Sequence, residues 1–430
     1  VSDATGTCLV LEELRCRPET RAEVERLARG HVAAARSASP GCLRFDLVAD
    51  PTDPSRLRLY GSFASGPDLD RYLGAPHTRA FREAVAPLVD AHEIREFLAD
   101  PKPAKPRRVL VAVPLLAGER GLLAGLEREG FEPVFNDLGR TLTEDELIAR
   151  LPGVVATIAG IEPYTERVFR AAPDLRCIAR FGVGYDQIDL EAARRHGVTV
   201  VMAFGSNHEA VADHALALMA ALAHRTLAYD RRVREGGWGT LRHRGLHGAV
   251  VGIVGFGRIG RALARRCRGF ASRILVADPA VEAETVRHLG CEPVELETLL
   301  AEADFVSLHC PASPETRHLI DARRLSLMRP TAYLVNTARG ALVDEAALVA
   351  ALAEGRIAGA GLDVFETEPP AGSPLLALDN VVLSPHVAGL SEDAIRRMAA
   401  MCVDNILHVL AGEDPGEGRV LDPETLRLHA

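Results

Sequence analysis

The chain has 430 residues, 47% of them hydrophobic and 25% charged, with a formal net charge of -9. This is the composition of a soluble globular protein of two to four domains. Acids and bases are interspersed without a basic stripe, which argues against nucleic acid or an anionic membrane as a partner. The longest apolar runs, residues 109–117 and 215–223, fall well short of the roughly 20 residues that a membrane-spanning helix needs.

The first residues, VSDATGTCLVLEELRC, lack the basic-then-apolar pattern of a signal peptide, and the eight cysteines are scattered without a C-x-x-C pair. Reduced thiols, a cytoplasmic location and no metal site are therefore expected. Residues 1–100 read as a small α+β unit, with strands at 8–14, 42–48, 56–63 and 92–97 and helices at 19–37 and 80–89. The wording PGCLRFDLVADPTDPSRLRLYGSF followed by APHTRAFREAVAPL resembles the antibiotic-biosynthesis monooxygenase-like family. That resemblance implies a ferredoxin-like domain that dimerises through its sheet. Two positions depart from the family pattern: Gly61 stands where a Glu often follows the Leu-Tyr strand, and Tyr72 stands where a His often precedes the Pro-His pair. The only Trp, Trp238, lies outside the segment, and His77 alone reads as structural. The unit is thus expected to dimerise or regulate rather than to work as an oxygenase.

Three prolines in DPKPAKPR make residues 101–107 a stiff, extended linker. Beyond it, strands at 108–114, 134–136, 154–159, 177–180 and 198–202 alternate with helices at 119–129, 144–151, 165–172 and 190–196, the signature of a doubly wound parallel-sheet lobe. At RFGVGYDQIDLEAARRHGVTV the chain resembles the D-isomer-specific 2-hydroxyacid dehydrogenase family, D-3-phosphoglycerate dehydrogenase among its members. The resemblance implies that Val183 and Gly184 offer backbone N–H groups to a substrate carboxylate. Glycine suits that position because a side chain would fill the space of the anion. Residues 209–236 form one long helical pattern that resembles the family's arm between lobes, most of it expected to be buried between lobes or subunits.

Residues 249–278, AVVGIVGFGRIGRALARRCRGFASRILVAD, supply a strand, a glycine turn, a helix and a second strand. Gly255, Gly257 and Gly260 give G-x-G-x-x-G: the first allows the tight turn, the second lets the backbone approach a pyrophosphate, and the third lets helix and strand pack closely. Arg258 and Ile259 sit at the phosphate turn, where the helix N-terminus presents N–H groups. Asp278 ends the second strand about 20 residues past the glycines, where a carboxylate bonds a ribose hydroxyl and repels a 2′-phosphate, so NAD is expected over NADP. A helix at 296–303, a strand at 305–309 and a helix at 320–328 continue this lobe, and His309, Cys310 and Pro311 resemble the family's loop over the cofactor.

Three motifs, VNTARGALVD, GLDVFETEPP and SPHVAGLS, complete the resemblance over residues 108–412. They imply that Arg339 binds the substrate, that His386 is the acid/base and that Glu368 is its partner. Thr337, Ala338, Asp363, His386 and Gly389 are implied to contact the cofactor, Asp363 through the nicotinamide carboxamide. The chemistry suits these types. A guanidinium contacts a planar carboxylate and the neighbouring ketone together, and histidine gives and takes the proton that matches the hydride. A carboxylate on the far ring nitrogen sets the tautomer and favours imidazolium. Asp344, Glu345 and Glu366 read as solvated or capping acids.

Residues 390–410 read as one helix, which in the family crosses back to the first lobe. The substrate-binding lobe is then discontinuous, 108–205 with 389–412, around an NAD-binding domain at 206–388, and a tail, 413–430, follows. The expected fold is α/β, with two Rossmann-type doubly wound parallel-sheet lobes preceded by a small α+β ferredoxin-like domain. The expected reaction is hydride transfer between NAD and a D-2-hydroxy acid or 2-oxo acid in a homodimer or higher homo-oligomer. The motifs do not name the acid. AGIEPYTE offers Ile161 and Glu162 where phosphoglycerate enzymes often place basic residues, while Arg180 could approach a second anion. A 3-phosphoglycerate-like substrate ranks narrowly ahead of other D-2-hydroxy acids, phosphonate analogues included. The alternative reading is an NAD(H)-sensing, corepressor-like binding protein.

Overall fold

The computed structural model describes residues 7–50, 53–98 and 107–426. The chain divides between residues 106 and 107 into two compact units. Of the linker expected at 101–107, all but Arg107 lies outside the described residues, as do the last four residues of the tail.

In the first unit, β1 (Cys8–Cys16), β2 (Cys42–Ala49), β3 (Arg56–Phe63) and β4 (Val89–Leu98) pair antiparallel in the order β2-β3-β1-β4. Every second residue of β1 is buried, the period of a sheet with one covered face. Helices Arg21–Ala38, Gly66–Leu73 and Pro76–Val85 supply Val24, Ala28, Leu69 and Phe81 to the core formed with Val10, Leu14, Leu57 and Phe63. The helix expected at 80–89 starts earlier because Pro76, with its fixed φ, suits a first turn, and it ends at Val85. The short helix Gly66–Leu73 has no long apolar period; Ser65 caps it by accepting from the Asp68 N–H.

The covered face also holds Glu12, which is fully buried. Its carboxylate accepts from Tyr72 Oη at 2.9 Å and Arg82 Nη2 at 3.0 Å, and lies 2.9 Å from His92 Nε2. Burial pushes the Glu12 pKa up, but His92, Arg82 and Tyr72 outweigh it and hold the group at about 2. His31, bonded to Tyr72 Oη at 2.9 Å and stacked on Phe81 at 4.2 Å, is pushed down to about 4 mainly by burial. Both departures from the family pattern belong to this interior. A Cβ on Gly61 would lie 2.6 Å from the Phe45 ring, and Tyr72 joins His31 to Glu12.

The second unit contains two parallel sheets. The first comprises β5 (Arg107–Val111), β6 (Phe131–Phe135), β7 (Val154–Ala159), β8 (Cys177–Arg180) and β9 (Thr199–Met202), ordered β6-β5-β7-β8-β9. The second comprises β10 (Val250–Val254), β11 (Arg273–Ala277), β12 (Glu292–Pro293), β13 (Phe305–Leu308), β14 (Tyr333–Asn336), β15 (Gly359–Leu362) and β16 (Val381–Leu383), ordered β12-β11-β10-β13-β14-β15-β16. Buried apolar clusters flank each sheet, so these strands are apolar on both faces. Strand order reverses between β5 and β7 and between β10 and β13, and at such points a crevice opens beyond the carboxyl ends of the strands.

Two helices differ from expectation. Residues 119–129 form a 3₁₀ turn, Arg120–Leu123, and a brief helix, Ala124–Arg128, after another 3₁₀ turn at Pro114–Gly118, because Gly118, Gly121 and Gly125 weaken a continuous helix. The pattern at 209–236 breaks into His208–Ala223 and Thr226–Arg234 at Arg225, whose φ is +53°. The first piece is apolar and packs on the β10–β16 sheet, whereas the second is charged and has no buried residue, so packing ends with the first. The helix Glu392–Leu410 buries Met398, Cys402, Ile406 and Val409 against the β5–β9 sheet.

Candidate active site

One end of the crevice forms where β10 turns into the helix Arg258–Arg268. Gly255 has φ +93°, and a Cβ there would come within 2.5 Å of Cys310 N. A Cβ on Gly260 would strike the Gly255 carbonyl, whereas nothing lies within 4 Å of one on Gly257. The turn is therefore tight on one side and open on the other, in front of the helix N-terminus. Arg258 stacks over the Phe204 ring at 4.5 Å, and Ile259 is half-buried. Asp278 accepts from Phe256 N at 2.6 Å and from Ala280 N at 2.8 Å. His309 lies 2.9 Å from Ser307 Oγ; burial pushes its pKa down to about 4, and its buried Nδ1 has no partner among the described residues. Burial raises the Cys310 thiol to about 11, and the Pro311 carbonyl accepts from Thr316 Oγ1 at 2.8 Å. Thr337 Oγ1 is likewise buried without a partner among the described residues.

At the other end, Asn336 shapes the turn after β14. Its Oδ1 accepts from Ala338 N at 3.0 Å and its Nδ2 donates to the Arg339 carbonyl at 2.8 Å. Arg339 donates from Nε to Asp186 Oδ2 at 2.7 Å and from Nη1 to the Ala338 carbonyl at 2.6 Å. A Cβ on Gly184 would overlap its Nη2, so the guanidinium lies against the half-buried Val183–Gly184 backbone.

His386 Nδ1 lies 2.7 Å from Glu368 Oε2, and Glu368 Oε1 accepts from Phe365 N at 3.1 Å. Burial pushes the Glu368 pKa up, but the His386 hydrogen bond and charge, the Phe365 N–H and the Arg339 charge together hold it below the usual carboxylate range. An ionised carboxylate only accepts, which assigns the Nδ1–H tautomer and leaves Nε2 without a protein partner among the described residues. His386 has φ +54°, a left-handed conformation that costs energy in a residue with a Cβ. Asp363 holds it there. The Asp363 carbonyl accepts from His386 N at 2.8 Å, and its carboxylate, 1% exposed, accepts from Val387 N and Ala388 N at 2.9 Å and from Ser384 Oγ at 2.6 Å. Gly389 leaves room for Asn207, whose Nδ2 would lie 2.8 Å from a Cβ there.

Residues 216–388 match the D-isomer specific 2-hydroxyacid dehydrogenase NAD binding domain, and residues 8–84 match the antibiotic biosynthesis monooxygenase family. Glyoxylate reductase of Korarchaeum cryptofilum is 48% identical over 59% of this chain and 79% of its own length. The chain belongs to the D-isomer specific 2-hydroxyacid dehydrogenase family. D-3-phosphoglycerate dehydrogenase of Archaeoglobus fulgidus is 36% identical over 71% of this chain and 58% of its own length. NAD-dependent formate dehydrogenase of Staphylococcus aureus, solved with NAD, superimposes with a TM-score of 0.66 at 28% identity, covering 74% of this chain and 99% of that one. This family member is thus an NAD-dependent oxidoreductase acting on CH–OH donors, and the corepressor-like reading finds no support among these relatives. NAD fits the residues present: the space at Gly257 is open, and Thr337 Oγ1 and His309 Nδ1 are buried polar atoms in want of partners.

Sequence reasoning passed over three residues that support the candidate site. Asp186 follows Gly184 in GYDQID, and the acid beside the glycine loop was its signal. Asn336 opens NTARG, a place where an Asx turn orders the next residues. His214, with Nε2 2.8 Å from Ser384 Oγ, backs the Asp363 loop and has no local signal.

Proposed function

We propose that the protein reduces a small, unphosphorylated 2-oxo acid of the glyoxylate class to its 2-hydroxy acid with NADH. The observation that supports the chemistry best is the Glu368–His386 pair at 2.7 Å, with one imidazole nitrogen left over and the Arg339 charge acting on the pair. In this reading, residues 206–388 hold NAD and residues 108–205 with 389–412 hold the substrate. Gly255, Gly257, Arg258, Ile259 and Gly260 would face the pyrophosphate and Asp278 the ribose. His309, Cys310, Pro311, Thr337, Ala338, Asp363 and Gly389 would line the remainder. Bound reduced nicotinamide supplies a hydride to the ketone carbon. Arg339 and the N–H groups of Val183 and Gly184 bind the carboxylate, His386 Nε2 protonates the ketone oxygen, and Glu368 stabilises the imidazolium that serves as the acid.

The preference for a small acid rests on Glu162. This residue is 1% exposed, accepts from Gly160 N at 2.7 Å and keeps a buried Oε1 without a partner among the described residues. Burial raises its pKa, and Arg180 is the cation whose charge acts on it. A second anion brought to Arg180 would find this carboxyl in the place where a phosphate calls for a second cation, which disfavours phosphate. The relatives named glyoxylate reductase point the same way, so the order expected from sequence, phosphoglycerate first, is reversed in this proposal. The test is a panel of glyoxylate, hydroxypyruvate, pyruvate and 3-phosphohydroxypyruvate followed by NADH absorbance. A higher kcat/KM for the phosphorylated acid than for glyoxylate sinks the substrate assignment. A homo-oligomer belongs to the same reading: Leu227, Val233 and Trp238 are 51%, 55% and 87% exposed on one short segment that a second copy would cover. A single-chain mass by light scattering counts against it.

A further inference from the structure

Arg339 and Asp186 are 153 residues apart in sequence, one on the turn after β14 and the other on the loop after β8, yet they form an ion pair at 2.7 Å across the crevice between the two sheets. The contact uses the guanidinium in a particular way. Asp186 takes Nε–H and the Ala338 carbonyl takes one Nη1–H, which leaves three of the five N–H groups, both on Nη2 and one on Nη1. Nη2 lies where a Gly184 Cβ would be. The unused edge is therefore the one turned to the loop whose N–H groups face the substrate carboxylate.

We propose that Asp186 is a positioning residue: by holding Nε of Arg339 it fixes the plane and rotation of the guanidinium so that the Nη1–Nη2 edge meets the 2-oxo acid above Gly184. The physical need is clear. Arginine carries a large rotamer entropy, and a two-point contact loses its geometric advantage if the plane is free to turn. Nη1 alone, tied to its neighbour's carbonyl, leaves rotation about that contact, and the second tie at Nε removes it. Asp186 touches neither the substrate nor the cofactor in this role; it acts through Arg339. At 46% side-chain exposure it is not a core residue, so its replacement does not empty a packed site.

This inference rests on the proposed role of Arg339, and the experiment separates the two. Steady-state kinetics are measured on the full chain with NADH and whichever 2-oxo acid of the panel has the highest kcat/KM, for Asp186→Ala, Asp186→Asn, Asp186→Glu, Arg339→Lys and the double variant Asp186→Ala/Arg339→Lys. Asp186→Ala is expected to raise KM for the oxo acid roughly tenfold and lower kcat severalfold, with the NADH dissociation constant unchanged. Asn keeps an acceptor in place and is expected to retain most activity. Glu keeps the charge but moves the acceptor by one methylene and is expected to lose nearly as much as Ala. In the Arg339→Lys background, where a single ammonium offers no separate Nε edge, Asp186→Ala is expected to cause no further loss. The proposal is overturned if Glu retains activity better than Asn, if the Ala loss is equal in both backgrounds, if KM for the oxo acid falls because Asp186 merely competes with substrate, or if NADH binding weakens in step. Normal kinetics for Arg339→Lys overturns the role of Arg339 itself, a different failure.

Discussion

Each unit of this protein sets a carboxylate against an imidazole, Glu12 with His92 at 2.9 Å in the first and Glu368 with His386 at 2.7 Å in the second, and the two pairs differ in their surroundings. Glu12 is fully buried and also accepts from Tyr72 and Arg82, so its carboxylate is held inside the unit by three other elements. Glu368 and His386 keep 27% and 36% side-chain exposure, and the second imidazole nitrogen has no protein partner among the described residues. A carboxylate–histidine pair is therefore not a site by itself. In the proposed mechanism, what distinguishes the second pair is its place at the crevice, with the Arg339 charge acting on it.

The sharpest way to break this comparison is to remove the two imidazoles. His386→Ala is expected to slow reduction by about 10² to 10⁴, with NADH affinity nearly unchanged in a fluorescence titration, whereas His92→Ala should leave kcat alone. A comparable loss from both replacements would put the first unit in the mechanism. Glu12→Ala takes one acceptor from several buried donors and is expected to cost the first unit about 3–5 kcal/mol, read as a lowered thermal transition, with kcat/KM little changed. An unchanged transition would mean that the cluster contributes nothing to the fold.

Acid should weaken the first unit. Glu12 and His31 hold folded pKa values of about 2 and 4 against ordinary values of 4.5 and 6.5. In both windows the unfolded chain binds more protons, so stability falls as pH drops below about 6.5 and continues falling toward about 2. His31→Gln should remove the upper part of that fall in a denaturation series over pH, and an unaltered profile would clear His31 of any part in it. On the nucleotide side, Asp278→Ala is expected to narrow the preference for NADH over NADPH by roughly tenfold, the size of a hydrogen bond to a charged group. Equal affinities in the parent would remove Asp278 as the discriminator.

The smallest effect concerns Glu368. Glu368→Gln keeps the shape and an acceptor but removes the charge that favours imidazolium, so the falling limb of the pH profile for reduction should move to lower pH. The rising limb for oxidation should move the same way, because that direction needs the neutral ring. Profiles that overlay the parent's in both directions would exclude Glu368 from proton transfer.

Much of this was legible in the sequence because the signals are local. A buried apolar strand, glycines at fixed spacing and an acid at the end of the next strand specify β10, its turn, the helix Arg258–Arg268 and Asp278 within about 30 residues, since each feature depends on the residues beside it. The same holds for the alternation in β1 and for the motifs that place the chain in its family. The break at Arg225 was not legible, because the apolar period runs past Ala223 while the surface that could bury it does not. Nor was the fate of the individual charges. Glu12 on an alternating strand reads as an acid among others until Tyr72, Arg82 and His92 arrive from other elements. Asp186 reads as a loop acid until β8 and β14 bring it to Arg339. Periodicity and turn chemistry act over a few residues and are written in the chain. The partners of a charge, the atoms left unpaired and the face open to a ligand depend on which segments meet, and that only the tertiary structure decides.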